Sequence, residues 1–589
     1  MLNNYRQLFN NTEGKYYLSL NPDFHIENND IDKEIKQQIG LAFFHKIYND
    51  KYNIYINDWR KKLLESKINK LEFPMNSGTG FIFTISGSPI FTNILDLNNQ
   101  HSKNHNVPQS LLKLKGIQFK ETDLVFSTKN GNRKCFDTHP MRGLLNNNPF
   151  DTNLHNLLNE IINLGIICPQ QDSDKLLKFL NMQNQEISKN NPNDNYIIDF
   201  KGFYNTYGIS LNIPTVNSQN WETINNPTES DRKKIIHEIK GNICDKINKL
   251  STIGSQKIVV IYIPKRWDNY LHYNDDIESF DLHDYIKAFC AEKGITSQII
   301  REKTITDDSL NCQINWWLSL SYFVKSFRTP WVINNADRNT AFAGIGYSVD
   351  TKKENDKGHI ILGCSHIYSS DGEGLKYKLS KINDKIQWIN KKPHLSYDDA
   401  YEFGKNVLHL FYESMNEVPK RVVIHKRTFF TDDEKRGILD SLMDNKKIEN
   451  VDLIEINFED KIRYVSSKIK DGEAKIDGFS VSRGTCIQLG NYEALLYAHG
   501  IIPSVVNPNY NFYPGGRYIP KPLRIIKHHG NGSLEQIATE ILGLTKMNWN
   551  SLNMYSQLPA TISSSNEIAR IGKLIENTEK IQYDYRYFI

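Results

Sequence analysis

His283 and Lys287 stand four positions apart, a spacing that brings two side chains onto one face of a helix. Gln298 follows in a β-branched stretch, and Lys325 lies near the end of an apolar stretch. A terminal phosphate carries nearly two negative charges and strong acceptor oxygens, so it calls for converging cationic and amide donors. A histidine, two lysines and a glutamine from three successive elements could supply them. Taken singly, a His and a Lys four apart usually mark a solvated helix face, and a strand glutamine an edge polar residue. A second basic group, His425-Lys426-Arg427, ends a run of branched apolar residues. There it would contact a nucleic-acid backbone or simply form a surface cluster. His528-His529 has no third metal ligand beside it and reads as loop polarity.

The elements that must position these groups alternate. Residues 257–263 form a compact β-branched strand, 277–293 a helix, 295–302 a strand, and 314–327 a strongly apolar helix. An open α/β sheet gathers ligands at the carboxyl ends of its strands. Thr329-Pro330-Trp331 marks a boundary. Beyond it the pattern gives strands at 341–349 and 358–366, then a helix over 396–416 opened by the acidic Ser-Tyr-Asp-Asp. A strand at 421–425, a helix at 432–443, a strand at 451–457 and closing helices at 533–545 and 565–579 follow. That is the order of a ribonuclease-H-like fold. Nearer the N-terminus, 35–70 and 153–164 carry helix-like periodicity, 80–85 reads as a strand, and 98–107 and 184–195 as polar loops.

A chain of 589 residues with 39% hydrophobic content can bury the cores of two or three domains. No apolar run approaches the roughly 20 residues of a membrane span, and the N-terminus has no signal-peptide core, so a cytoplasmic protein without a membrane partner is expected. Seven scattered cysteines without a CxxC pair argue against a disulfide frame or structural zinc. A net charge of +4 does not advertise nucleic-acid binding, so any such site must be a local concentration of cations.

From about residue 115 onward, the chain resembles the short prokaryotic Argonautes, built from MID and PIWI domains without PAZ. The stretches that carry the likeness occur in the family's order: 137–151 as its lead-in, His283-x3-Lys287 with Gln298 and Lys325, Thr329-Pro330-Trp331, Lys521-Pro522-Leu523-Arg524, Leu544 to Asn550, and Leu558-Pro559. The resemblance implies an α/β fold with a Rossmann-like MID domain over 113–330 and a ribonuclease-H-like PIWI domain over 331–589. A small mixed α/β segment, 1–112, precedes them. It implies that His283, Lys287, Gln298, Lys325 and the carboxylate of Ile589 bind the 5′ phosphate of a guide, with the Ile589 carboxylate holding a structural Mg²⁺ against it. His283 replaces the family's usual aromatic residue.

The nuclease strands of this family carry aspartates. Gly344-Ile345-Gly346-Tyr347 and Ile424-His425-Lys426-Arg427 resemble those strands with Gly346 and Lys426 in the aspartate positions, and Asn566 falls near the fourth. Two-metal hydrolysis needs carboxylates on both sides of the scissile phosphate, so no catalytic residue and no enzymatic activity are expected. Lys426, Arg517, Lys521, Arg524, Lys546 and Arg570 are the expected contacts to guide or target backbone, with Lys527 a further candidate. Tyr510, Phe512 and Tyr513 would either stack on bases or pack their loop. The partners implied are a guide RNA, a single-stranded DNA target, and an APAZ-domain protein carrying a TIR, NAD-consuming or nuclease effector in prokaryotic defence. Two other readings compete: a guide-directed nuclease using Asp350 in a shifted register, and a guide-free nucleic-acid-binding scaffold.

Overall fold

The computed structural model describes residues 113–128, 134–153, 161–253, 257–274, 279–334, 339–347, 387–390, 392–444, 447–459, 467–470, 473–476, 481–503, 511–512, 520–572, 574–575 and 582–589. It also gives five short strands before residue 100 and three between 361 and 381. The chain divides into two compact units. One comprises 1–121, 457–503 and 511–526, and the other 122–456, 504–510 and 527–589.

The larger unit holds two parallel sheets. In the first, β1 (Ile161–Pro169) is flanked by Ser210–Asn212 and by β2 (Lys257–Ile263), which pairs in turn with β3 (Thr296–Arg301). Every residue of β2 from Ile258 to Ile263 is buried, as a central parallel strand covered on both faces requires. Helix α1 (Arg232–Thr252) lays Ile235, Ile239, Ile243 and Ile247 over one face of this sheet. The four-residue spacing makes a single apolar stripe that meets Val259, Ile261 and Ile263 of β2. Helix α2 (Leu282–Glu292) adds Ile286 and Cys290 to the same core. Helix α3 (Asn311–Lys325) is apolar around most of its circumference and is buried accordingly.

The second sheet runs β4 (Thr340–Ile345), β5 (Arg421–Lys426), β6 (Asn450–Phe458), all parallel, with Ile345 level with Lys426 and Lys426 level with Glu455. The crossover between β4 and β5 includes α4 (Tyr397–Met415), capped by Ser396, whose hydroxyl accepts from the Asp399 N–H. Helix α5 (Asp432–Met443) opens on a capping box formed by Thr431 and Glu434. Phe403, Val407 and Leu410 of α4 pack with Ile438 and Leu442 of α5 over Val422 and Ile424 of β5. Helices α6 (Leu534–Leu544) and α7 (Ala560–Gly572) complete the unit, and α7 lies against β4.

In the smaller unit, strand Leu523–His529 pairs antiparallel with Glu493–Leu496 through residues 523–526. That strand pairs with Thr485–Gln488, and Thr485–Gln488 pairs with Lys113–Gln118. Among the described residues, no helix is long and apolar enough to cross a membrane. The fold is the α/β class the sequence implies, with three corrections to its elements. The helix expected over 277–293 starts at Leu282, because Ser279–Asp281 pairs as a strand with His272–Asn274. Residues 161–164 belong to a strand, because Ile162, Leu164, Ile166 and Ile167 are buried in the sheet interior. The final long helix starts at Ala560, five residues before the expected Ser565.

Candidate nucleic-acid interface

Lys287 and Lys325 come from different helices to one buried place. Asp281 caps α2 by accepting from the Asp284 N–H, which sets the helix so that Lys287, 2% exposed, points inward. Its ammonium donates to the Ser297 carbonyl on β3 at 2.7 Å and to the Ile589 main-chain oxygen. Lys325, the last residue of α3 and also 2% exposed, donates to Gln298 Oε1 at 2.5 Å. Ser321 donates to the same oxygen at 2.6 Å, and the Thr296 hydroxyl holds the Lys325 carbonyl. The terminal turn Tyr585–Tyr587 packs on α2, α3 and β3, with Tyr587 edge-on to Phe327, and so delivers Ile589 to Lys287.

The two ammonium groups are near enough to interact directly. Burial pushes Lys287 down to about 8. Burial, and next the Lys287 charge, hold Lys325 well below the usual lysine range. Two cations sharing a desolvated site are costly, and an arriving phosphate relieves both desolvation and repulsion. His283 lies outside this pair. Its side chain is 43% exposed and contacts Asp284 Oδ1 at 3.1 Å. Gln298 differs from its expected role as a donor to phosphate: its amide oxygen receives Lys325 and Ser321 while Nε2 donates to the Ile299 carbonyl. It positions a lysine rather than offering a free amide. Sequence reasoning missed Glu567, whose charge both lysines feel. Its only sequence signal is a place three residues before Arg570, on the same helix face.

Of the positions expected to be degenerate nuclease positions, Gly346 follows directly after β4, beneath α7. A Cβ there would stand 2.5 Å from the Ser565 carbonyl carbon and 2.8 Å from the Asn566 nitrogen. Lys426, at the end of β5, is fully buried, which corrects its expected role as a nucleic-acid contact. Its ammonium pairs with Glu434, also fully buried, and lies 3.2 Å from both His394 Nδ1 and the Phe429 carbonyl. Burial by itself would raise the Glu434 carboxyl. Bonds from His394, Lys426 and the Leu395 N–H outweigh it and hold the group at about 2. The cluster seals the strand end from phosphates. Asn566 is exposed on α7, and Asp350 lies outside the described residues.

The expected backbone contacts divide sharply. Lys546 is buried, 4% exposed, and donates to the carbonyls of Thr122 and Thr138 at 2.8 and 2.9 Å. Around it Trp331 Nε1 donates to the Lys546 carbonyl and Trp549 Nε1 to the Trp331 carbonyl. It is an internal clamp, not a phosphate ligand. Lys546→Met should therefore lower unfolding free energy by about 2–4 kcal/mol, the scale of two orphaned carbonyls, read by urea denaturation. Arg524 is committed to Glu493 at 2.6 Å and approaches Glu459 at 3.7 Å. Arg570, half exposed, pairs with Asp284 on α2. Lys527 donates to the Gly532 carbonyl, and His528 meets Glu455. Lys521 is exposed. Arg517, Tyr510 and Tyr513 lie outside the described residues, as do the side-chain surroundings of Phe512.

No family model and no curated protein matches the sequence. Solved structures do match the fold. The Clostridium butyricum Argonaute, bound to a guide DNA and a 19-mer target DNA, shares 18% identity at a TM-score of 0.54, over 81% of this chain and 55% of that one. The A. aeolicus Argonaute shares 19% identity at a TM-score of 0.50, over 80% of this chain and 55% of its own. The chain thus spans a little over half the length of the structures it resembles, and what it shares with them at this identity is the fold.

Proposed function

We propose that this Argonaute-fold chain holds a 5′-phosphorylated guide, of RNA, and uses it to recognise a complementary single-stranded DNA without cutting it. The observation that carries the reading is the convergence of Lys287 and Lys325, both buried, with the Ile589 oxygen. Two buried ammonium groups brought to one place are what a dianionic ligand satisfies. A Mg²⁺ fits the same place as a hard cation taking the Ile589 carboxylate and phosphate oxygens, where it would neutralise accumulated negative charge. It does not fit the ends of β4 and β5: Gly346 offers no side-chain ligand, and Lys426 puts an ammonium beside the buried Glu434.

Recognition without cleavage requires something else to act. We assign that role to an APAZ-domain protein carrying a TIR, NAD-consuming or nuclease effector, activated in the cytoplasm when the guide pairs with invading DNA. Target pairing would shift a conformational or assembly equilibrium of the complex.

The direct test compares one short RNA bearing either a 5′ phosphate or a 5′ hydroxyl. Wild type should prefer the phosphate, and Lys287→Ala should lower that preference by about 30–150-fold, the worth of a buried charge-assisted contact of ~2–3 kcal/mol. Affinity for the phosphate should also fall as pH rises past about 8, where Lys287 loses its proton in the free protein. Equal binding of the two RNAs by wild type would remove the reading.

A further inference from the structure

Asp284 joins two helices through one buried carboxylate. Its Oδ1 meets His283 Nδ1 at 3.1 Å, and its Oδ2 accepts from Arg570, which α7 extends toward α2. Its own N–H donates to the capping Asp281 at 3.1 Å, which fixes where α2 begins. Burial by itself would raise the Asp284 carboxyl. The His283 bond, and next the Arg570 charge, outweigh it and hold the group below its ordinary range. An ionised carboxylate only accepts, so Nδ1 carries the hydrogen in the contact with His283. Each oxygen thus has its own donor, one from α2 and one from α7. The carboxylate is buried, whereas His283 and Arg570 are each nearly half exposed.

His283 stands one helical turn from Lys287 on the same face of α2, about 5.4 Å along the axis. Lys287 is buried and His283 is exposed, so along α2 the way from the phosphate site to solvent passes the imidazole. From this geometry we infer that Asp284 is a positioning residue for the first nucleoside of the ligand. Held by Arg570, it fixes the His283 ring at the mouth of the phosphate site, where the first base stacks on it. The inference rests on the proposed phosphate-binding reading. An exposed imidazole turns among rotamers, and a ligand that stacks on it must first immobilise one of them. A bond from Nδ1 to a buried carboxylate immobilises the ring beforehand. Arg570 comes from a different helix and keeps that carboxylate from rotating away. In this arrangement Arg570 serves the ligand through Asp284, rather than as the backbone contact expected of it. Asp284 itself acts only through His283.

The experiment measures binding of one 5′-phosphorylated short RNA to the full chain, with either a base or an abasic residue at its first position, at constant pH and salt. Wild type should bind the base-bearing RNA about tenfold more tightly, the scale of one base stacked on an aromatic ring. Asp284→Ala and Arg570→Gln should each bring that ratio down to about threefold or less, while abasic RNA stays within about twofold of wild type. His283→Ala should abolish the ratio, and adding Asp284→Ala to it should change nothing further, because the two residues act in series. A loosened α2 would instead weaken both RNAs together, and it would do so with or without His283. If wild type shows the ratio and Asp284→Ala leaves it intact, the inference fails and the pocket reading stands. Equal losses from Asp284→Ala in the presence and absence of His283 would also overturn it. So would a wild type that prefers a 5′ phosphate to a 5′ hydroxyl but ignores the first base. A wild type that does not distinguish phosphate from hydroxyl would mean that the pocket reading itself has failed.

Discussion

Lys426→Met should lower the unfolding free energy by about 3–5 kcal/mol, the cost typical of removing one partner of a buried ion pair. Lys426 and Glu434 are both fully buried, and the methionine would leave the carboxylate without its ammonium partner. The groups still facing it are the Leu395 and Thr431 N–H groups at 2.9 Å, and the Tyr347 hydroxyl and His394 Nδ1 at 3.3 Å. The pH dependence should change sign with the substitution. In wild type the Glu434 carboxyl is depressed to about 2 from an ordinary 4.5. Its contribution is therefore fully present above the ordinary value and is lost as pH falls from there through about 2. Without Lys426, burial dominates and the folded-state value rises above the ordinary one. Stability should then fall as pH rises above the ordinary value of 4.5. Urea denaturation across that range reads both effects. Adding Glu434→Gln to Lys426→Met removes the stranded charge and should recover much of the loss, since coupled neighbours are not additive. A Lys426→Met chain that unfolds at the wild-type urea concentration would mean that the ammonium contributes nothing.

This cluster also shows where sequence reasoning stops. Lys426 was legible as a cation in a place where a nuclease carries an acid, and Thr431-x-x-Glu434 reads as a helix start. That the two meet depends on how β5 turns into α5, which no local pattern states. The same limit explains Lys546. In sequence it is a cation among polar and aromatic residues, but its charge is satisfied by carbonyls more than 400 positions away. By contrast, Lys287, Gln298 and Lys325 were legible because each lies at a predictable place on a strongly patterned element, and the β-α-β-α order brings those places together. The start of α7 was missed because its buried face carries Thr561, Ser564 and Ser565. These small polar residues suit close packing on the glycines of β4, and they erase the apolar periodicity by which a helix is read.

That close packing makes the second large effect a failure to create cutting. Gly346→Asp with Lys426→Asp puts carboxylates at both strand ends, yet it should give no Mg²⁺- or Mn²⁺-dependent cleavage of a guide-matched DNA and should destabilise the chain. Any Cβ at 346 meets the backbone of Ser565 and Asn566, at 2.5 and 2.8 Å. Backbone inside a helix cannot rotate aside as a side chain does, so α7 must move. Gly344 opposes the same helix, where a Cβ would be 2.7 Å from the Thr561 carbonyl carbon. Overpacking of this kind costs about 1–3 kcal/mol. At 426 the aspartate would replace an ammonium beside Glu434, turning an ion pair into two buried carboxylates. Gly346→Ala separates the causes, because it adds the Cβ without the charge and should account for most of the loss at that position. The displacement should also travel. Helix α7 carries Arg570 to Asp284 on α2, the helix that bears Lys287, so both Gly346 variants should alter the phosphate-to-hydroxyl preference measured on RNA. Metal-dependent cleavage by a double variant of wild-type stability would show that α7 yields easily. The missing carboxylates alone, rather than the closed strand end, would then account for the proposed lack of cutting.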